Sequence, residues 1–415
     1  MQQTKRILAV FLCVCCLALC AAPTAFSADG GIRNVIFMIG DGMGYNHLKL
    51  AEEEGFEIFM DDVPDLLGWS RTRSANNKVT DSAAGATALA CGVRTNNKML
   101  AVFPEEEKRE TLQPRSVTEN AILHGMKTGI VTTDYTSGAT PAGFSVHVLS
   151  RSDAQSITAQ QLSGNIDLIL GKKEDAAEQS AVEEAGYRYL ETRADLAALR
   201  VGARAFGQFG SDIWKLDLPA EAPSLAEMCA TAVSLLTTKN PKGFFLMVEG
   251  AHIDKNADDS KDGLKDYPEK RANVAEAVKT FDNAVRAAVD FAKKDGRTLV
   301  IITADHETGN LYPDGEDGRM TFHSASHTSA NVPVFVYGAR DLFENGAEMD
   351  NTDLVNLVAE KLGWEERFPI EDPVGFVAEP PAPVQETPQS NGNKPVSFLL
   401  RLWQWICDFF KRLFG

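Results

Sequence analysis

The strongest constraint on this chain is a recurring pattern: an unbroken apolar run, long enough for one strand, that ends in carboxylate, hydroxyl or imidazole side chains. Asn34-Val-Ile-Phe-Met-Ile-Gly40 leads into Asp41-Gly42-Met43-Gly44, Gly129-Ile-Val-Thr-Thr133 ends in hydroxyls, and Phe244-Phe-Leu-Met-Val248 delivers Glu249. Thr298-Leu-Val-Ile-Ile302 is followed by Thr303-Ala304-Asp305-His306. Runs apolar at every position read as parallel strands buried on both faces, and open α/β sheets bind ligands beyond the carboxyl ends of such strands. A fifth run, Val332-Pro-Val-Phe-Val-Tyr337, follows His327 and is expected to close the order. Helical stretches lie between the runs. The clearest spans Glu269 to Lys294, where Val274, Val278, Phe281, Val285 and Ala288 recur at spacings of four and three. The fold class is therefore α/β, a three-layer α/β/α sandwich around a central, mostly parallel sheet. A further helix is read around Ala176 to Leu199, and Ile166 to Leu170 is a short apolar run.

Val79-Thr80-Asp81-Ser82-Ala83-Ala84-Gly85 is a polar turn running into small, helix-compatible residues. Asp and Ser are preferred helix caps, so in isolation the segment reads as an ordinary N-terminus. A serine in that first turn also sits among unpaired N–H groups at the positive end of the helix dipole, where phosphate or an alkoxide is stabilised. Ser82 is thus the candidate nucleophile, provided the rest of the chain supplies partners for it.

Charge and cysteine usage narrow the function. Residues 1–28 read as an export signal, with Lys5 and Arg6 before an apolar run from Ile7 to Ala22 and small residues near Ala25-Phe26-Ser27. Losing those two basic residues takes the formal charge from -17 to -19, which disfavours nucleic acid as a partner. An acidic protein that binds phosphate esters needs a local positive site, and metal ions are the largest local charges available. Cys91, Cys229 and Cys407 lie beyond the signal and make no disulfide framework. Residues 29–378 form the expected catalytic body, and 379–395 a Pro-rich linker. Residues 396–415 carry an amphipathic helix, in which Ser397, Arg401, Gln404, Asp408 and Lys411 make a narrow polar stripe. Trp403, Trp405 and the surplus of basic over acidic residues in that tail suit peripheral contact with an anionic membrane surface.

Six segments in order resemble the alkaline phosphatase family: Ile39-Gly-Asp-Gly-Met-Gly44, Val79-Thr-Asp-Ser-Ala-Ala84, Ala139-Thr-Pro-Ala142 with Arg151 eleven residues past Thr140, Val248-Glu-Gly-Ala-His-Ile-Asp-Lys255, Thr303-Ala-Asp-His306 and Ser326-His-Thr328. The resemblance implies a phosphomonoesterase with two zinc ions and one magnesium ion, working through a phosphoserine. It implies that Asp41, Ser82, Asp305 and His306 bind the zinc that activates the nucleophile, and that Asp254 and His327 bind the other. Asp41, Thr140 and Glu249 match the magnesium ligands, and Arg151 the residue that grips phosphate. Lys255 matches a catalytic lysine. The residue types agree with these roles: imidazole and carboxylate suit zinc, an all-oxygen set suits magnesium, and a guanidinium fork fits a phosphoryl group.

Two positions depart from the family pattern. A histidine is usual four residues after the aspartate at 254, where this chain has Asp258; Asp258 is expected to complete that metal site and make it less selective for zinc, with His252 and His323 as nearby candidates for compensation. Many members carry Asp or His two residues before the threonine at 140, where this chain has Gly138, so Lys255 is expected to lack an acidic neighbour and to meet phosphate directly. The expected enzyme hydrolyses small phosphate monoesters outside the cytoplasm, in the periplasm, secreted or at the cell surface, with a homodimer left open. A phosphodiesterase or sulfatase on the same scaffold is the first alternative, disfavoured by Arg151. A non-catalytic metal- or phosphate-binding protein is the second, disfavoured by Ser82.

Overall fold

Strand β1 (Asn34–Gly40) shows how the layers arise: Val35, Phe37 and Ile39 enter one apolar cluster, Ile36 and Met38 another, and all are fully buried. Alternation in a strand sends successive side chains to opposite faces, so a strand apolar throughout must be covered on both. The computed structural model describes residues 31–381, apart from 63, 211–212, 261–262, 264–266 and 316. The export segment and the tail from 382 onward, with the readings placed on them, lie outside the described residues.

Among the described residues the main sheet has ten strands. After β1 these are β2 (Leu66–Arg71), β3 (Lys127–Tyr135), β4 (Leu168–Lys172), β5 (Arg188–Leu190), β6 (Ala205–Phe209), β7 (Phe244–Gly250), β8 (Thr298–Thr303), β9 (Val332–Tyr337) and β10 (Glu348–Asp350). Their spatial order is β10-β2-β9-β8-β1-β7-β3-β4-β6-β5. All neighbours pair parallel except β9, which runs antiparallel to both β8 and β2. The fifth run therefore does not close the sheet, because β2 and β10 continue it on the far side. The helix read over Ala176 to Leu199 is also corrected. Two short helices, Gln179–Glu184 and Arg193–Ala197, flank strand β5, and the chain turns between them at Gly186, whose φ of 82° lies in the left-handed region.

Helices α1 (Tyr45–Glu53), α3 (Leu225–Thr237) and α4 (Pro268–Asp295) cover one face; α2 (Ser82–Cys91) and α5 (Leu354–Leu362) cover the other. The sequence-expected stripe of α4 is buried throughout, with Pro268 at its start and Gly296 in the left-handed conformation at its end. Phe281 from that stripe lies against the backbone of Gly250, where an added Cβ would come within 2.8 Å of the ring. The packing thus locks α4 onto the end of β7, next to Glu249. Phe281→Ala should destabilise the fold by about 3–5 kcal/mol, the usual cost of emptying a phenylalanine site in a core. Urea denaturation followed by circular dichroism measures this, and an unshifted midpoint would show that α4 is held elsewhere.

Candidate active site

The carboxyl ends of β1, β7 and β8 are adjacent, and the chemistry foreseen for them meets there. Gly40 is paired with Gly250 and Ile39 with both Glu249 and Thr303, so Asp41, Glu249 and Asp305 emerge side by side. Gly42 makes the turn after β1 possible: its φ is +76°, and a Cβ on it would stand 2.8 Å from that of Asp254. Opposite, α2 begins at Ser82 with Asp81 as its cap, the carboxylate accepting from Ala84 N. All ten residues of α2 are buried, which their small size permits. Gly85 lets the helix touch the strand end, since a Cβ there would meet Asp305 at 2.9 Å.

Two groups of donor atoms converge. Asp41, Asp305 and His306 place one ligand atom each within 4.8 Å of one another, and so do Asp254, His306 and His327. His306 Nε2 is 3.3 Å from Ser82 Oγ and 3.4 Å from a carboxylate oxygen of both Asp41 and Asp305. Its ring stacks on His327, with centroids 3.7 Å apart. His327 Nδ1 donates to the Thr80 carbonyl at 3.1 Å, and Nε2 is turned to Asp254 at 3.3 Å. Burial lowers the His327 pKa, but its hydrogen bond to Asp254 more than offsets this and holds it at about 9. Thr308 donates to Asp254 Oδ1 at 2.5 Å.

Glu249 and Thr140 stand beside this pair of groups. Burial and the charge of Asp134 raise Glu249 to about 8, while the Thr132 hydroxyl, which donates to Glu249 directly, pulls the other way. Asp41 is raised well above the usual carboxylate range, by burial first and then by Asp305, Asp254 and Glu249. Among the described residues, Asp41 Oδ1, Asp305 Oδ2 and Thr140 Oγ1 are buried without a hydrogen bond, the two carboxylate oxygens facing only His306 Nε2 at 3.4 Å. Orphaned buried oxygens among crowded carboxylates fit a cation site, and the mix of oxygen and imidazole donors fits metal ions.

Arg151 reaches this cluster from outside the sheet. Its Nη1 is 3.1 Å from Asp81 Oδ2, the oxygen that also accepts from Lys98 N, so the cap of α2 doubles as the anchor of the guanidinium. Asp258, by contrast, is not among the convergent donors; it ends the helix His252–Ala257, and its Oδ1 accepts from Ser260 N at 2.7 Å. His252 is turned aside, hydrogen-bonded to Thr133 and stacked on Trp214. Burial, then the charges of Lys255 and Lys172, lower its pKa to about 3. His323 stacks on Tyr312 and lies in neither group.

Residues 32–341 match the family model described as alkaline phosphatase. Alkaline phosphatase 4 of Bacillus subtilis is 34% identical over 329 residues, covering 74% of this chain and 68% of the relative. The structure of the alkaline phosphatase from the Antarctic bacterium TAB5 superposes with a TM-score of 0.68 at 25% identity, covering 81% of this chain and 100% of that one. A variant of the TAB5 enzyme with magnesium bound superposes with a TM-score of 0.64 at 27% identity, covering 81% and 99%. The chain belongs to the alkaline phosphatase family. It is accordingly a phosphoric monoester hydrolase, built as the α/β/α sandwich of that family.

Against the family pattern, Lys255 needs correcting. Its Nζ is 2.5 Å from Asp134 Oδ1, so it does have an acidic neighbour, supplied from the end of β3 rather than from position 138. Gly138 makes this possible: a Cβ there would fall 2.6 Å from Asp134 Oδ2. Sequence reasoning missed Asp134, although it follows a buried run just as Asp41 and Glu249 do. It also missed Asp81 as the partner of Arg151, since capping alone accounted for that residue. Gly138→Ala should push the Asp134 carboxylate aside, release Lys255 and lower kcat/KM by on the order of 10- to 100-fold, the scale of a small misplacement near reacting groups. Steady-state kinetics on an aryl phosphate checks it; an unchanged rate would show that the pair is not needed.

Proposed function

We propose that this family member is an exported phosphomonoesterase that transfers the phosphoryl group to Ser82 and then to water. Asp41, Ser82, Asp305 and His306 would hold one zinc ion, and Asp254 and His327 the other, with Asp258 completing that site only on turning away from Ser260 N. Asp41, Thr140 and Glu249 would hold magnesium, a reading to which the magnesium-bound TAB5 variant lends support. When bound, these cations neutralise the crowded carboxylates, acidify the serine and water, and favour the departing oxygen. The observation that carries the proposal is the unpartnered buried oxygens of Asp41, Asp305 and Thr140 beside Ser82.

The chain's own groups do the rest. Arg151, braced by Asp81, offers two parallel N–H groups to non-bridging phosphate oxygens, which orients phosphorus toward Ser82 Oγ. The unpaired N–H groups at the start of α2 add favourable charge to the same anion. Attack forms the Ser82 Oγ–P bond, with the hydroxyl proton of Ser82 released to solvent, and breaks the ester P–O bond, the departing oxygen taking a proton from solvent to leave as the alcohol. Water then attacks phosphorus from the opposite side, restoring Ser82 and giving inorganic phosphate. Export rests on residues 1–28, and among the described residues no helix is long and apolar enough to cross a membrane.

Two measurements test the assignment. Rapid acid quench with labelled phosphomonoester should trap phosphate on Ser82, and Ser82→Ala should lower kcat by at least about 10³-fold, the scale set by losing covalent catalysis. A full rate in that variant would remove Ser82 from the mechanism. Asp258→Ala should lose one metal ion per chain and Asp258→His should gain zinc occupancy in zinc-limited buffer, both read by elemental analysis. If alanine leaves the stoichiometry intact, Asp254 and His327 hold that ion without Asp258.

A further inference from the structure

Strand β3 loses its regular pairing just where it delivers Asp134. Val131 is in register with Leu170 and Tyr135 with Lys172, so β3 advances four residues while β4 advances two. Such a bulge leaves backbone groups without ladder partners, bends the strand, and often re-aims a side chain beside an active site. The N–H of Asp134 is taken up by Thr132 Oγ1 at 2.8 Å, the same hydroxyl that donates to Glu249. Gly171 lets β4 close on the bulge, since a Cβ there would stand 2.9 Å from the Asp134 carbonyl oxygen. The turn that follows, Thr136 to Gly138, leads straight into the short helix Ala139–Gly143, which carries Thr140.

Glu174, two residues past β4, grips that turn. Its Oε1 accepts from Thr136 Oγ1 at 2.7 Å and from Ser137 N at 2.8 Å, and its Oε2 accepts from Ser137 Oγ. Hydrogen bonds to a carboxylate are roughly twice as strong as those between neutral groups. Gln208, on β6, ties the two sides together: its Oε1 accepts from Glu174 N at 2.8 Å and its Nε2 donates to Thr136 Oγ1 at 2.9 Å. Gln161 Nε2 donates to the Thr136 carbonyl at 2.8 Å. Thr136, Gln161 and Gln208 are all buried. Asp134 lies two residues before the gripped pair and Thr140 three residues after it, so movement of the turn moves both.

We propose that Glu174 is a positioning residue for the magnesium site: by fixing the turn it sets where Thr140 Oγ1 stands relative to Asp41 and Glu249, and so how tightly this chain holds magnesium. The proposal rests on the reading of Asp41, Thr140 and Glu249 as magnesium ligands. Glu174 is no ligand itself and acts through the turn, as residues behind a metal's ligands set its affinity by orienting them. Asp254 and His327 are held instead by Thr308 and the Thr80 carbonyl, so the effect falls on magnesium and spares zinc.

The full chain, loaded with zinc and dialysed against graded magnesium, can be read for both metals by elemental analysis. Glu174→Ala should raise the magnesium concentration for half-occupancy about tenfold, the lower end of what losing a ligand's support costs, and leave zinc content as in the wild type. Glu174→Gln keeps an acceptor for Ser137 N and should bind magnesium nearly as the wild type does. Ser137→Ala removes one donor but keeps the carboxylate, so it should shift half-occupancy in the same direction by less; it carries the test if Glu174→Ala does not fold. A folded Glu174→Ala protein with wild-type magnesium occupancy overturns the proposal, whatever its unfolding midpoint, and so does an unshifted Ser137→Ala where that variant carries the test. Equal loss of zinc and magnesium overturns it as well, because Glu174 then supports the fold and no one site. A wild type that takes up no magnesium overturns the magnesium reading and the proposal with it.

Discussion

Mutual repulsion among buried carboxylates is the constraint on which this structure turns. Asp41, Glu249, Asp254 and Asp305 meet at the ends of three neighbouring strands, and burial first, then the charges of the other three, hold the Asp41 proton well above the ordinary range. Ionised groups in such a place are costly unless cations accompany them. Protein cations offset only part of this: His327 pairs with Asp254, Lys255 with Asp134, and Arg151 with Asp81. The remaining unpartnered oxygens call for positive charge from outside the chain. The same repulsion that opposes folding of the bare protein thus defines where metal ions belong.

Close approach of backbone segments is what makes that crowding geometrically possible. The sheet brings Asp41, Glu249 and Asp305 together by parallel register, and the missing side chains of Gly42 and Gly85 bring Asp254 and α2 up against them. Because α2 is built of alanine, glycine and other small residues, its N-terminus reaches the ligand cluster, and Ser82 Oγ comes within 3.3 Å of His306. Asp81 then serves two ends at once, closing the first turn of α2 and fixing Arg151. Ser82 and Arg151 are therefore positioned by one residue.

Much of this was legible in the sequence, for a physical reason. A doubly covered parallel strand must be apolar throughout, so its polar terminus stands out, which is how Asp41, Glu249, Asp305 and His306 were found. The α4 stripe was readable because helical period and burial coincide over many turns. The stretch from Ala176 to Leu199 was not, since β5 is three residues long and its flanking helices are one to two turns each. Strand direction was equally hidden: β9 is as apolar as the parallel strands β1, β7 and β8, and only the chain's return path makes it antiparallel. The Asp134–Lys255 pair depends on empty space at Gly138, which composition does not reveal.

The most direct test of the account is metal content set against rate. Elemental analysis of the full chain purified without chelators should find about three divalent ions per chain, two zinc and one magnesium, as expected of a two-metal hydrolase with a third supporting site. Stripping them should abolish phosphomonoester hydrolysis, and returning zinc with magnesium should restore it. A protein that hydrolyses phosphomonoesters at full rate with no bound metal would contradict the reading that the buried carboxylates exist to hold cations.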